Sequence, residues 1–544
     1  MSLRFLCLLA ALSLGLSLLA QPNFTRQDTL RGSITPERAW WDLTYYHLSV
    51  AVDPEAQTLE GTNLIQYRVL EQPQRMQIDL QPPMQATAFH QDGEELRFER
   101  DGNVYWVEVP TDVVKGQVYE LTVAFGGNPP VAANPPWDGG LTWAERKGKP
   151  FIATSCQGDG ASLWWPCKDH MYDETDSMLI SVTVPEALMD VSNGQLRGVD
   201  ENGDGTKTFH WFVNNPINNY GVNLNIGDYI HWGEVYEGEK GNLACDYYVL
   251  RGNKEKAEKQ FAQVPMMLEA FEHWFGPYPF YEDGYKLVEV PYLGMEHQSS
   301  VTYGNYFRNG YLGTDLSSSG WGLKFDFIII HESGHEWFAN NITYQDIADM
   351  WVHEGFTAYS ENLYLDYHFG TNAASEYVLG TRSAISNDRP IIGYYDVNHS
   401  GSGDMYYKGA NLLHTLRQVV DDDEKWRSIL RGLNETFYHQ TVTTQQVEDY
   451  LSEQAGRDLS AVFDQYLRDT RIPVLEYRLN NGRFNYRWGN AVRGFDLPIE
   501  VMLNGEVVKL EPIQSWQSLK GWEDGTEVVI DPDYYVGYMN LTGK

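Results

Sequence analysis

Phe325-Asp-Phe-Ile-Ile-Ile-His-Glu-Ser-Gly-His-Glu-Trp-Phe338 sets an apolar run directly against two histidines four residues apart. A buried helix is the expected form of that run, and residues four apart on a helix share one face. His331 and His335 can then direct two imidazoles at one point, with Glu332 next to the first. A hydrolytic zinc site needs a third protein ligand and one open position. Glu354 follows His335 after eighteen residues, inside Trp351-Val-His-Glu-Gly-Phe-Thr-Ala-Tyr-Ser-Glu361, which has helical character. A turn of that length lets a second helix pack on the first and present Glu354 to the same ion. Glu361, two turns further on and on nearly the same face, can accept a hydrogen bond from a ligand histidine and fix its tautomer. The expected cofactor is one Zn2+ ion on His331, His335 and Glu354, with Glu332 as the base that takes a proton from water. The competing reading, a chance motif of core or surface histidines, is weighed down by the apolar helix and by Glu354.

Working outward, 544 residues exceed what one core serves, roughly 250 to 300, so several domains are expected. Hydrophobic residues at 42% and aromatics at 14% exclude a disordered chain. Asp and Glu number 75 against 40 Lys and Arg, a net charge of -35, which repels phosphate backbones and anionic lipid headgroups. Nucleic acid is therefore not an expected partner. Arg4, the apolar stretch Phe5 to Leu19 and Ala20 before Gln21 predict a secretory signal over 1–20, a retained anchor being the alternative. That stretch is short of the roughly 20 apolar residues a span needs. The reading is an exported protein, periplasmic or extracellular, with no stable membrane insertion after signal removal. Cys7 would leave with the signal, and Cys156, Cys167 and Cys245 allow at most one internal disulfide.

The fold expected is multidomain α+β. Period-two alternation such as Tyr46, Leu48, Val50 and Val52 predicts an N-terminal β domain over 21–245. Helical spacing begins at Asn253 and runs on towards Phe275 despite Pro265, and from Lys408 to about Leu467 helix follows helix, one opened by a Thr443/Gln446 capping box. These predict a helix-rich catalytic domain over 246–474. Alternation returns after Pro473, with Asn504-Gly505 as a two-residue turn, giving a small C-terminal β domain over 475–544.

HESGHEWFANNITYQDIADMWVHEGFTAYSE, residues 331–361, resembles the signature of the aminopeptidase N type of zinc metallo-aminopeptidase. This is a gluzincin family that also includes leukotriene A hydrolase, and the resemblance implies a saddle-like β domain and a thermolysin-like catalytic domain. Leu293-Gly-Met-Glu-His297 is similar to the family's exopeptidase motif, with His297 where the family has Asn. It implies that Glu296 binds the substrate's α-amino group and that the backbone of Gly294 and Met295 lies along the peptide. Met405-Tyr-Tyr-Lys-Gly-Ala410 resembles the element that carries the family's catalytic tyrosine, implying Tyr406, with Tyr407 as the adjacent competitor. Ala153-Thr-Ser-Cys-Gln157 and Trp165-Pro-Cys-Lys-Asp169 match two further family stretches and imply Gln157 as a second contact for the amine. The short β tail departs from the long helical solenoid of larger members. The implied function is removal of N-terminal residues from peptides with a free N-terminus, the alternatives being a thermolysin-like endopeptidase or an inactive peptide-binding scaffold. Asn341, in a glycan-acceptor triplet beside the motif, reads as structural, and His368 and His414 as core or surface residues.

Overall fold

The computed structural model describes residues 23–543. The expected signal over 1–20, with Cys7, lies outside them, and among the described residues no helix is long and apolar enough to cross a membrane.

The period of two is realised in Trp41–Asp53, where Tyr46, Leu48, Val50 and Val52 are buried and the residues between them are half-buried. This strand lies inside an eight-stranded sheet, parallel to Ser177–Pro185 and antiparallel to Thr58–Val69. A four-stranded sheet contributes Leu141, Ile152 and Val191 to the same core. One of its strands, Lys149–Ser155, ends two residues before Gln157 and so delivers that residue to the rim of the domain.

The hairpin Tyr229–Gly238 and Gly241–Leu250 pairs in parallel with Tyr285–Glu289, within a five-stranded sheet edged by Gly294–Met295. The boundary drawn between 245 and 246 therefore cuts through a strand. Alternation marks a half-buried strand but not the sheet edge that receives it, which long-range pairing decides.

The helical spacing after Asn253 resolves into α1, Lys254–Phe261, and α2, Gln263–Phe275. Pro265 has no N–H for the Phe261 carbonyl, and it is tolerated because it falls in the first turn of α2. The helices that matter for the site follow: α3, Phe327–Gly334; α4, Trp351–Phe369; α5, Thr371–Thr381; and α6, Tyr407–Val420. Beyond them Thr444–Ala455 opens with the expected capping box between Thr443 and Gln446.

In the C-terminal region Ile499–Leu503 pairs with Glu506–Leu510 across Asn504-Gly505, whose φ values of 50° and 84° suit the two-residue turn. These strands are not a separate globule: Leu475, Trp488 and Ile499 share one buried cluster with Leu416 and Tyr466 of the helical domain. Cys156, Cys167 and Cys245 are buried and unbridged.

Candidate active site

Helix α3 starts at a strong cap. Asp326 Oδ1 accepts from Ile328 N at 3.1 Å and from Asn305 Nδ2 at 2.8 Å, while Oδ2 accepts from the Tyr303 hydroxyl at 2.7 Å and Gln260 Nε2 at 2.6 Å. Burial nonetheless pushes its carboxyl up to about 6. Phe327 to Ile330 then bury the helix on all sides. The helix is shorter than the motif suggests and ends at Gly334, yet His335 keeps helical dihedrals (φ -65°, ψ -17°), so the four-residue spacing still puts both rings on one face.

Three glycines let the supporting elements touch. A Cβ on Gly334 would fall 2.6 Å from Ser360 Oγ and 3.1 Å from Thr357 Cγ2, so the backbone of α3 packs directly on these small side chains of α4. A Cβ on Gly409 would fall 2.9 Å from the Gly355 Cα, which brings the start of α6 against α4. A Cβ on Gly294 would fall 2.6 Å from Ile328 Cγ2 and 3.3 Å from Glu332 Cγ, so the edge strand lies directly on α3. Close packing at these points carries Glu354, Tyr406 and Glu296 to one place.

His331 Nε2 and His335 Nε2 lie 3.7 Å and 3.4 Å from Glu354 Oε2. The ligand atoms of the three residues are all within 4.8 Å of one another. Glu354 Oε2 is buried without a hydrogen-bond partner, an arrangement that costs about 1–3 kcal/mol or more for a charged group unless a cation meets it. The outer ring atoms are already committed. His331 Nδ1 is 2.8 Å from Glu361 Oε1, and Glu361 Oε2 accepts from the Tyr377 hydroxyl at 2.5 Å. His335 Nδ1 is 3.0 Å from the Phe338 carbonyl and 3.1 Å from Thr357 Oγ1. Each ring thus presents Nε2 inward, and two imidazole nitrogens with one carboxylate oxygen are a zinc donor set. The residues present fit the ion.

Charge around this point is negative in excess. Burial would raise Glu354, but the His335 and His331 rings outweigh it and hold the carboxyl below its ordinary range. Burial pushes Glu332 up to about 7, with His331 pulling the other way. Burial likewise raises Glu296, as does the neighbouring Glu354. Glu296, Glu332 and His335 form a second convergent group with atoms within 4.8 Å. A dication placed among these carboxylates relieves their mutual repulsion.

Glu296 is 2% exposed, and its Oε1 accepts from the Tyr220 hydroxyl at 3.0 Å. Asn340 Nδ2 donates to its carbonyl at 2.9 Å. Gln157 Nε2 donates to Glu354 Oε1 at 2.7 Å, so it stands against the metal-facing carboxylate. Tyr406 stacks with His331 at 6.1 Å between ring centroids, and burial with the carboxylates of Glu354, Glu296 and Glu332 keeps its phenol protonated, as a donor. Gln157, Glu296, Glu332, Tyr406 and the three ligand residues border one cavity of about 190 Å³, which Tyr407 also lines, with Trp137 exposed beside it. His297 is buried, which pushes its ring down to about 3; its Nδ1 lies 3.3 Å from Thr302 Oγ1, and it does not line the cavity. Asn341 is a core residue that donates to Asn434 and accepts from His439 N. Tyr220, Thr357 and Tyr377 escaped the sequence reading, since in a chain with 35 tyrosines no local pattern marks the ones that brace a ligand.

Two family profiles match the chain in order: the Peptidase M1 N-terminal domain over residues 43–220 and the Peptidase family M1 domain over 260–466. Among curated relatives, a probable aminopeptidase 2 of Sulfurisphaera tokodaii is 23% identical, the match covering 66% of this chain and 47% of that protein. Leukotriene A-4 hydrolase of Xenopus laevis is 24% identical, covering 63% and 58%. The chain spans about half the length of the curated relatives it matches. A crystal structure of a mutant M1 zinc metallopeptidase from Deinococcus radiodurans, bound to a Tyr-Ser-Ala substrate, superposes with a TM-score of 0.68 at 20% identity, over 79% of this chain and 95% of that one. With both of its characteristic domains in sequence and a matching fold, the chain belongs to peptidase family M1.

Proposed function

We propose that the protein is a zinc-dependent aminopeptidase that removes N-terminal residues from peptides, using one ion held by His331, His335 and Glu354. The observation that carries this reading is the place of Glu296: a buried carboxylate, braced by Tyr220, within 4.8 Å of His335 of the ligand set and of Glu332. An anion at that point pairs with a substrate ammonium and so admits chain ends in preference to chain middles.

A bound zinc ion supplies Lewis acidity, which lowers the pKa of a water and polarises a carbonyl. Glu296 fixes the α-amino group, Gln157 lines the same cavity while it donates to Glu354, and the strand backbone of Gly294 and Met295 aligns the first peptide bond. Glu332 takes the proton of the attacking water as the O–C bond forms. It returns that proton to the amine nitrogen as the C–N bond breaks. The Tyr406 hydroxyl donates to the oxygen that gains charge in the tetrahedral state. The chain's acidity and its N-terminal apolar stretch support a role outside the cytoplasm, on peptides rather than nucleic acids.

The test is a panel of aminoacyl reporter amides, with free and N-acetylated peptides, run with and without chelator. Free substrates should turn over, acetylated ones should not, and zinc should restore what the chelator removes. Equal cleavage of free and acetylated peptides would favour the endopeptidase. A purified protein with neither zinc nor turnover would leave the peptide-binding scaffold.

A further inference from the structure

The segment that carries Tyr406 is not held by the catalytic helices alone. A turn of the C-terminal β region, residues 531–535, is built into the helical domain: Asp533 Oδ1 lies 3.0 Å from His414 Nε2 and accepts from Ser375 Oγ, and Tyr535 N donates to Thr415 Oγ1 at 3.0 Å. From this turn two chains of hydrogen bonds run back towards the site.

The first passes through Asn387. Its Nδ2 donates to the Tyr535 hydroxyl at 3.2 Å, and its backbone N donates to Asp404 Oδ2 at 2.6 Å. Asp404 is 5% exposed and accepts from Ser386 N at 2.8 Å with its other oxygen. It sits in the single helical turn Gly403–Met405 that leads into Tyr406. The second passes through Arg382, which stacks 5.2 Å from the Tyr535 ring and donates to the Pro532 carbonyl at 2.7 Å. Arg382 Nε donates to Asn411 Oδ1 at 2.6 Å, and Asn411 Nδ2 donates to the Tyr407 carbonyl at 2.9 Å. One chain ends two residues before Tyr406 and the other ends on the residue after it.

We propose that the C-terminal β region is a positioning element for the catalytic tyrosine, acting through Tyr535–Asn387–Asp404 on one side of Tyr406 and Arg382–Asn411 on the other. The inference rests on the reading of Tyr406 as the group that donates to the oxyanion. A donor that must meet charge developing on one oxygen gains from being fixed in advance, and a displacement of about 1 Å can cost about 100-fold in rate. Backbone anchored at 404 and 407 leaves the intervening residue little freedom to drift, and both anchors run to the same turn of a different sheet. Asp404, Asn387, Arg382 and Tyr535 do not line the cavity; they act through Tyr406.

The experiment uses the full-length, zinc-loaded protein and compares Asp404→Asn, Arg382→Gln and Tyr535→Phe with Tyr406→Phe and with each double variant. Asp404→Asn should lower kcat about tenfold, and the other two about threefold each, with KM changed less than about twofold and zinc content unchanged. In the Tyr406→Phe background those losses should disappear, because there is no longer a hydroxyl to position. Losses that persist in that background, or that fall on KM instead of kcat, overturn the proposal. If Tyr406→Phe is impaired while all three supporting variants keep full kcat, the positioning role alone is lost. If Tyr406→Phe itself keeps full kcat, the tyrosine reading falls and the positioning role goes with it. Should Asp404→Asn fail to fold, the half-buried Tyr535 and Arg382 carry the same cycle.

Discussion

His331 and His335 stand at the end of one helix and Glu354 and Glu361 on the next, with the outer ring atoms already bonded to Glu361 and to the Phe338 carbonyl. Gln157, Glu296 and Tyr406 reach the same cavity from a loop of the β domain, the first residue after an edge strand and the first residue before α6. The half proposed to hold the metal is thus two closely packed helices, and the half proposed to meet substrate is three chain segments that come together only in the folded protein. A site built in this way can keep its ion through changes that disturb its substrate contacts. Glu332→Gln, which keeps the helix and the ligands but removes the base, gives the sharpest separation: kcat should fall about 100- to 10,000-fold while bound zinc, measured by elemental analysis, stays at the wild-type level. Zinc lost together with activity would mean that the two halves are not separable.

Tyr406→Phe probes the other half. It removes one donor to the oxyanion, and kcat should fall about 100-fold with zinc content and KM nearly unchanged. An equal loss in Tyr407→Phe would transfer the role to the adjacent phenol, which also lines the cavity.

The same division decides what could be read in the sequence. The helix faces were legible because a period of 3.6 is local: His331, His335, Glu354 and Glu361 declare themselves by spacing within helical stretches. The hairpin turn at Asn504-Gly505 and the Thr443 capping box were legible for the same reason, each being set by neighbours in the chain. What stayed hidden depends on residues far apart. The hairpin over 229–250 joins the catalytic sheet by pairing with Tyr285–Glu289, a choice no alternation pattern records. Tyr220 braces Glu296 across 76 positions, and Tyr377 reaches Glu361 from the following helix. Glu296, Gln157 and Tyr406 stand out only through resemblance, since nothing in their own neighbourhoods separates a substrate-binding Glu, Gln or Tyr from a packing one.

Glu361→Gln tests how far the ring orientation matters to the metal half. The amide keeps one acceptor oxygen but cannot accept from both the His331 ring and the Tyr377 hydroxyl, which Glu361 now takes with separate oxygens. Zinc affinity, measured by competition with a chelator, should weaken about tenfold, with kcat of the reloaded enzyme changed less. An unchanged affinity would show that packing alone orients the ring.

The smallest effects come from two glycines that differ in both reason and setting. Gly334 has ordinary helical dihedrals but no room, its Cβ position lying 2.6 Å from Ser360 Oγ, whereas Gly505 has open space around it and a φ of 84°. Gly334→Ala must displace the Ser360 and Thr357 side chains of α4 beside the metal ligands, so it should cost about 1–3 kcal/mol in stability and also weaken zinc binding. Gly505→Ala must hold a left-handed turn with a side chain, at about 1 kcal/mol, and should leave zinc affinity and kcat untouched. The turn at 504–505 belongs to the same C-terminal region as the 531–535 turn but makes none of the contacts that lead to Tyr406, so it separates a general loss of stability in that region from the specific support of the tyrosine. A fall in kcat on Gly505→Ala would show that activity follows the stability of the whole β region, and the separation between the helix-borne and the loop-borne halves would have to be redrawn.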